Sequence, residues 1–288
     1  MTWSKTVKAY LATLNPETGT GARYGAALNE FAAWYRRTYG DMPEPDLLTD
    51  EEAREWRAHL IGDKELKAAT VNLNLVALRG LVRHCGRRLR IENVRKVQSP
   101  IEPLDGRELG RLIAAVEGHR WGSDWLTSRN LALVGVLARA GLRLSEALEL
   151  NTDDVDLRSR SGWALIRQGK GAKERQVPLN TELRRVVSEY LAARPEEMAS
   201  EPALFVTRSG SRLGPRAVQR MVAGAARRAG IERQVTPHVL RHTFATRFLH
   251  KGGDLATLRA ILGHSSIATT SRYLHPNATQ MQNMVEGM

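Results

Sequence analysis

The chain of 288 residues carries 43 Lys and Arg against 31 Asp and Glu, a formal net charge of +12. That length suits two ordinary cores better than one, and the cationic excess favours a polyanion as partner without fixing any base sequence. Cys85 is the single cysteine, which excludes an internal disulfide and any multi-cysteine zinc site. The opening residues have no secretory pattern, and no run approaches the roughly 20 apolar residues that span a bilayer. A soluble, cytoplasmic and nucleoid-associated protein with no membrane partner is therefore expected.

Up to residue 94 the pattern is helical throughout. A first helix is expected around Ser4 to Leu14. Tyr24, Leu28, Phe31 and Tyr35 then form the stripe of an amphipathic helix from Thr20 to Tyr39, ended by Gly40 and Pro43. Thr49, with Glu52 three residues on, reads as the cap of a helix running to Ile61. The next is expected from Ala69 to Cys85, with Leu73, Val76 and Leu81 on its apolar side and Cys85 as a small filler. Arg87, Arg88, Arg90, Arg95 and Lys96 follow against one acid, Glu92. They are candidate phosphate contacts, and equally an ordinary solvated stretch. The prolines of VQSPIEPLD disfavour a continuous helix, so we place an N-terminal domain at 1–94, a linker at 95–103 and a second domain at 104–288.

In the second domain Asp105 caps a helix to about Val116, and Leu131, Val134 and Leu137 mark another from Ser128 to Ala140. Gly141 breaks it, and LRLSEALEL starts a new helix on which Arg143 and Glu146 share a face. WALIR (163–167) and RQVPL (175–179) read as two strands joined by the glycines of GKGAK, with Pro178 confining them to an edge-like sheet. A helix over Thr181 to Ala193, a short strand at Leu204 to Val206, and a helix from Gly214-Pro215 towards Arg228 follow. Short helices fill the segment from Thr236 to His275. The expected fold is mainly α with two domains, the second a mixed but mostly helical domain with a small antiparallel sheet.

The polar residues admit a specific chemistry and a bland one. Arg143, after a glycine turn, has a fork suited to two oxygens of one phosphate, yet taken alone reads more often as a surface arginine. Lys170 in a tight turn is placed to protonate a leaving alkoxide or to face solvent, and Lys173 and Arg175 beside it compete for phosphate. GKG is no Walker loop, since the flanking Gly and Ser or Thr are missing. His238 and Arg241 can face one phosphate from the start of a helix, or be a cap and a satisfied core residue. His238 and His242 have metal-like spacing, but Val239 stands where a glutamate is needed and no third ligand is indicated. His264 could donate to phosphate or pack between helices. Tyr273 could be a nucleophile once it loses its proton, or a packing residue.

Taken together, ARAGLRLSEALEL, RQGKGAKERQVPL, TPHVLRHTFAT and LRAILGHSSIATTSRYLH resemble the tyrosine recombinases, the family of phage-type integrases and chromosome-dimer-resolving recombinases. Their order fills all six positions of that family's active set. The resemblance implies an N-terminal core-type DNA-binding domain and a catalytic second domain, closing as a C-shaped clamp on duplex DNA. It implies phosphate binding by Arg143 and Arg241, leaving-group protonation by Lys170, assistance by His238 and His264, and attack by Tyr273 to give a 3′-phosphotyrosine link. It further implies double-stranded DNA with a specific site as partner, a Holliday-junction intermediate, a homo-tetramer or a hetero-tetramer with a paralogue, and no metal or cofactor. A tail from Asn277 onward resembles the segment that docks into a neighbouring subunit. A type IB topoisomerase and a non-catalytic DNA-binding protein are the competing expectations.

Overall fold

The computed structural model describes residues 2–15, 19–95, 102–158, 160–167 and 174–263. The chain divides into two compact units, Met1–Ser99 and Pro100–Met288.

The first unit is built from α1 (Trp3–Ala12), α2 (Thr20–Tyr39), α3 (Asp50–Gly62) and α4 (Ala68–His84). Its core is aromatic. Phe31 and Trp56 are 1% and 0% exposed and meet edge to face at 5.4 Å, an arrangement that the ring quadrupoles favour. Thr49 and Glu52 close the expected capping box: the Glu52 N–H donates to Thr49 Oγ1 at 3.2 Å, and the Thr49 N–H donates to the Glu52 carboxylate at 2.7 Å.

The buried face of α4 is rotated from the expected one. Val71, Leu75, Leu78, Leu81 and Val82 are buried, Leu73 is half-buried and Val76 is exposed. The inward stripe follows the spacings of four and three from Val71, a register that Val76 does not share. After α4 the chain stays packed on this unit through Leu89 and Ile91. Asn72 closes the turn-back, donating to Val94 O at 2.9 Å and accepting from Val94 N at 2.7 Å. Arg87, Arg88, Arg90 and Arg95 are exposed on its surface, while Lys96 lies outside the described residues.

In the second unit the expected cap at Asp105 starts α5 (Gly106–Glu117), with the Glu108 N–H donating to its carboxylate at 2.7 Å. Helix α6 (Asp124–Arg139) begins a turn earlier than its apolar period suggests. It is nearly continuously buried from Ala132 to Ala138 and packs against α5, α7 (Leu144–Glu149), α8 (Thr181–Ala193) and α10 (Pro237–His250). Three antiparallel strands, β1 (Val155–Asp156), β2 (Trp163–Ile166) and β3 (Arg175–Pro178), form a sheet in the order β1-β2-β3. The register pairs Trp163 with Pro178 and Ile166 with Arg175. Pro178, which lacks an N–H, sits on the outer strand, where no further strand asks for one.

Leu204 to Val206 do not form the expected strand. Their surroundings make isolated bridges, Asn151 with Ala203 and Val206 with Arg212, and the three side chains are fully buried. Deep burial gave the segment its apolar, strand-like composition, while pairing on short stretches of loop satisfies its backbone. Helices α9 (Pro215–Arg228), α10 and α11 (Leu255–Leu262) complete the unit. Among the described residues no helix is long and apolar enough to cross a membrane.

Candidate active site

The site is assembled from the ends of elements. Helix α6 finishes at Arg139, and Gly141 reverses the chain with φ +67°. A Cβ at Gly141 would lie 2.3 Å from the Phe244 ring of α10, so both conformation and space require glycine here. The reversal delivers Arg143 to the N-cap of α7, with Glu146 one turn on.

Glu146 is 8% exposed and gathers three arginines from three parts of the chain. Its carboxylate accepts from the Arg143 N–H at 2.7 Å and from Arg143 Nη1 at 2.6 Å. Arg175 Nη2, from the first residue of β3, donates to it at 2.8 Å, and Arg241 Nη1, from α10, lies 3.6 Å away. Burial pushes the Glu146 pKa up, but the hydrogen bonds from Arg175 and Arg143 outweigh it and hold the carboxyl below its ordinary value. The carboxylate stays ionised among cations.

The same three guanidinium groups also meet the end of α11. Arg175 Nε donates to Ile261 O at 2.8 Å, Arg241 Nη2 to Leu262 O at 2.8 Å, and Arg143 Nη2 to Gly263 O at 3.2 Å. Carbonyls in the last helical turn have no partner within the helix, and the helix dipole leaves that end negative. Three successive carbonyls satisfied by three cations make a charge-matched junction between α7, β3, α10 and α11. Arg241 also donates to Gly141 O at 2.7 Å, which closes the loop back to the turn that sets Arg143.

The structure thus brings Arg143 and Arg241 together around Glu146. Arg241 is 2% exposed, whereas Arg143 keeps about 40% of its side chain open, so Arg143 is the more accessible of the two. His238 is exposed on the first turn of α10, the helix that buries Arg241. Thr236 caps that helix, accepting from the Val239 N–H at 3.3 Å. Lys170, Lys173, His264, Tyr273 and the tail from Asn277 lie outside the described residues. Arg175 is not the solvent-facing phosphate contact that its charge suggests, because its side chain is only 11% exposed and engaged inward. Strand periodicity carried that signal: Arg175 shares a face with Val177, which is fully buried. Among the described residues no group of three or more His, Cys, Asp or Glu could hold a metal ion.

Comparison with known proteins places these residues in context. Residues 102–280 match the phage integrase family. The chain is 33% identical over 279 residues to the tyrosine recombinase XerC of Methylobacterium sp. (strain 4-46), covering 91% of this chain and 85% of that one. It is 34% identical over 229 residues to the tyrosine recombinase XerD of Mycobacterium leprae (strain TN), covering 74% and 71%. Its fold is shared with the XerH site-specific recombinase, solved bound to its palindromic difH substrate after cleavage, at TM-score 0.76 and 23% identity over 92% of this chain and 79% of that one.

Proposed function

The chain belongs to the phage integrase family and is a tyrosine-type site-specific recombinase, and from that premise we propose that Arg143, Lys170, His238, Arg241, His264 and Tyr273 are its active set. The observation that carries this reading is the convergence of Arg143 and Arg241, from elements about a hundred positions apart in the chain, on the buried carboxylate of Glu146.

The chemistry follows from the residue types. Arg143 and Arg241 hold the scissile phosphate and stabilise the negative charge that grows on its oxygens, a role in which one preorganised donor is worth about 100- to 1000-fold in rate. The Tyr273 phenol oxygen attacks phosphorus as its proton passes out with the help of His238, and His264 supports the phosphate. The bond to the 5′ oxygen breaks, and Lys170 gives that oxygen a proton. One phosphodiester becomes one 3′-phosphotyrosyl ester. Attack by the 5′ hydroxyl of a partner strand reverses the step, so exchange runs through a Holliday junction without a metal or nucleotide entering any step. Double-stranded DNA carrying a specific site is the substrate, and four subunits, all of this chain or shared with a paralogue, act in one synapse in the cytoplasm. Arg87, Arg88, Arg90 and Arg95, exposed on the first unit, together with Lys96 and Lys173, supply sequence-independent phosphate contacts. Recombinase relatives argue against relaxation or passive binding as the main activity.

The test uses a nicked suicide duplex containing the site that the full chain selects from random-sequence DNA. Wild-type protein is expected to form a covalent adduct that Tyr273→Phe abolishes. A site that is bound without any adduct, or an adduct that survives Tyr273→Phe, would overturn this active set.

A further inference from the structure

We propose that Arg175 is a positioning residue for strand cleavage, tying the start of β3 to the Glu146–Arg143 pair and to the last turn of α11, which runs directly into the segment bearing His264 and Tyr273. The inference rests on the active set proposed above. It concerns a residue that the chemistry itself does not use.

Three features set Arg175 apart from an ordinary buried ion-pair partner. Its Nη2 and Nε reach two different elements at once, Glu146 of α7 and Ile261 O of α11, both at 2.8 Å. A planar fork can hold both in fixed geometry, whereas a lysine offers a single point of charge. Its guanidinium also fills the space beside Gly263, where a Cβ would lie 2.8 Å from Nη1 and 2.9 Å from Cζ, and Gly263 has φ +63°. The glycine that ends α11 is therefore shaped around this side chain. Finally, Arg175 Nη1 is buried without a hydrogen-bond partner among the described residues.

The consequence lies in what is joined. By sequence, Lys170 falls in the connection between β2 and β3, and Arg175 opens β3. One guanidinium therefore links the chain carrying the acid, the carboxylate that orients Arg143, and the helix end that leads to the nucleophile. The charges around Glu146 come from Arg143 on α7, Arg175 on β3 and Arg241 on α10. Among them Arg175 is the largest single influence holding the carboxyl ionised.

Single-turnover cleavage of the suicide duplex by full-length Arg175→Lys and Arg175→Gln provides the test, with rates normalised to the folded fraction from circular dichroism. Both variants are expected to bind the duplex with wild-type affinity and salt slope and to cleave it roughly 100-fold more slowly, the loss that a small misplacement of reacting groups produces. In Arg175→Gln the acid limb of the pH–rate profile moves to higher pH as the Glu146 carboxyl loses its partner. Arg175→Lys restores the limb by its charge but not the rate, which needs the fork. Cleavage by Arg175→Lys at the wild-type rate, or a loss that merely tracks DNA affinity or folded fraction, would overturn the proposal. A wild-type chain that forms no Tyr273-dependent adduct sinks the active set and this inference with it. A normal wild-type adduct with an equally fast Arg175→Lys sinks this inference alone.

Discussion

The two units solve the problem of burying polar groups in opposite ways. In the first, the deep interior is aromatic and the buried polar side chains, Thr6, Asn72 and Asn74, are uncharged, with Asn72 paired to the backbone of Val94. In the second, Glu146 and the guanidinium groups of Arg175 and Arg241 are themselves buried, and their partners are helix and strand ends. A buried ion cluster adds little net stability over an apolar one, but it is costly to break because the remaining charges are left uncompensated. Among the described residues, the first unit thus keeps its interior free of charge, and the second accepts a demanding charge arrangement beside two members of the proposed active set.

That contrast can be broken most forcefully at Glu146. Glu146→Ala leaves three arginines facing one another and is expected to cost about 3–5 kcal/mol of stability, with cleavage per folded molecule also falling steeply. Chemical denaturation and single-turnover cleavage on the same preparation check both. Trp56→Ala should cost a comparable amount, about 3–5 kcal/mol, through lost packing. Its cleavage per folded molecule should be retained, and equal impairment in both variants would erase the distinction. Asn72→Ala removes both bonds to Val94 and is expected to cost about 1–3 kcal/mol, with faster hydrogen exchange at the Val94 amide as the local readout.

The smallest effect concerns pH. The Glu146 carboxyl is held below its ordinary value of 4.5 in the folded chain, so its contribution to stability is fully present above that value and is lost as pH falls through the folded pKa. Denaturant midpoints measured from neutral pH downward should fall more gently in Glu146→Gln than in wild type. Parallel slopes would place the acid sensitivity elsewhere.

What the sequence made legible followed from short-range physics. Thr49 with Glu52, Asp105 with Glu108, and the break at Gly141 each depend on a few neighbouring residues, and each appears where the spacing puts it. The strands 163–166 and 175–178 are likewise visible as β-rich runs on either side of the GKGAK sequence. Val76 and the segment from Leu204 to Val206 were misread because composition reports burial but not which face is buried or whether a neighbouring strand exists. Arg175 was the hardest. Its partners stand 29 and 86 positions away, and only the approach of α7 and α11 turns a charged residue beside a basic stretch of sequence into an internal strut. Arg143 and Arg241 were recognisable as candidates singly, while the carboxylate and the helix end that hold them in register required the fold.

The central claim is that this junction presents one particular phenol to a phosphodiester, and it is tested most directly by mapping the covalent adduct. Nuclease and trypsin digestion of the trapped wild-type complex, followed by tandem mass spectrometry, should locate a 3′-phosphonucleotide on Tyr273 alone. A nucleotide attached through its 5′ phosphate, or carried by any other residue, would contradict the account.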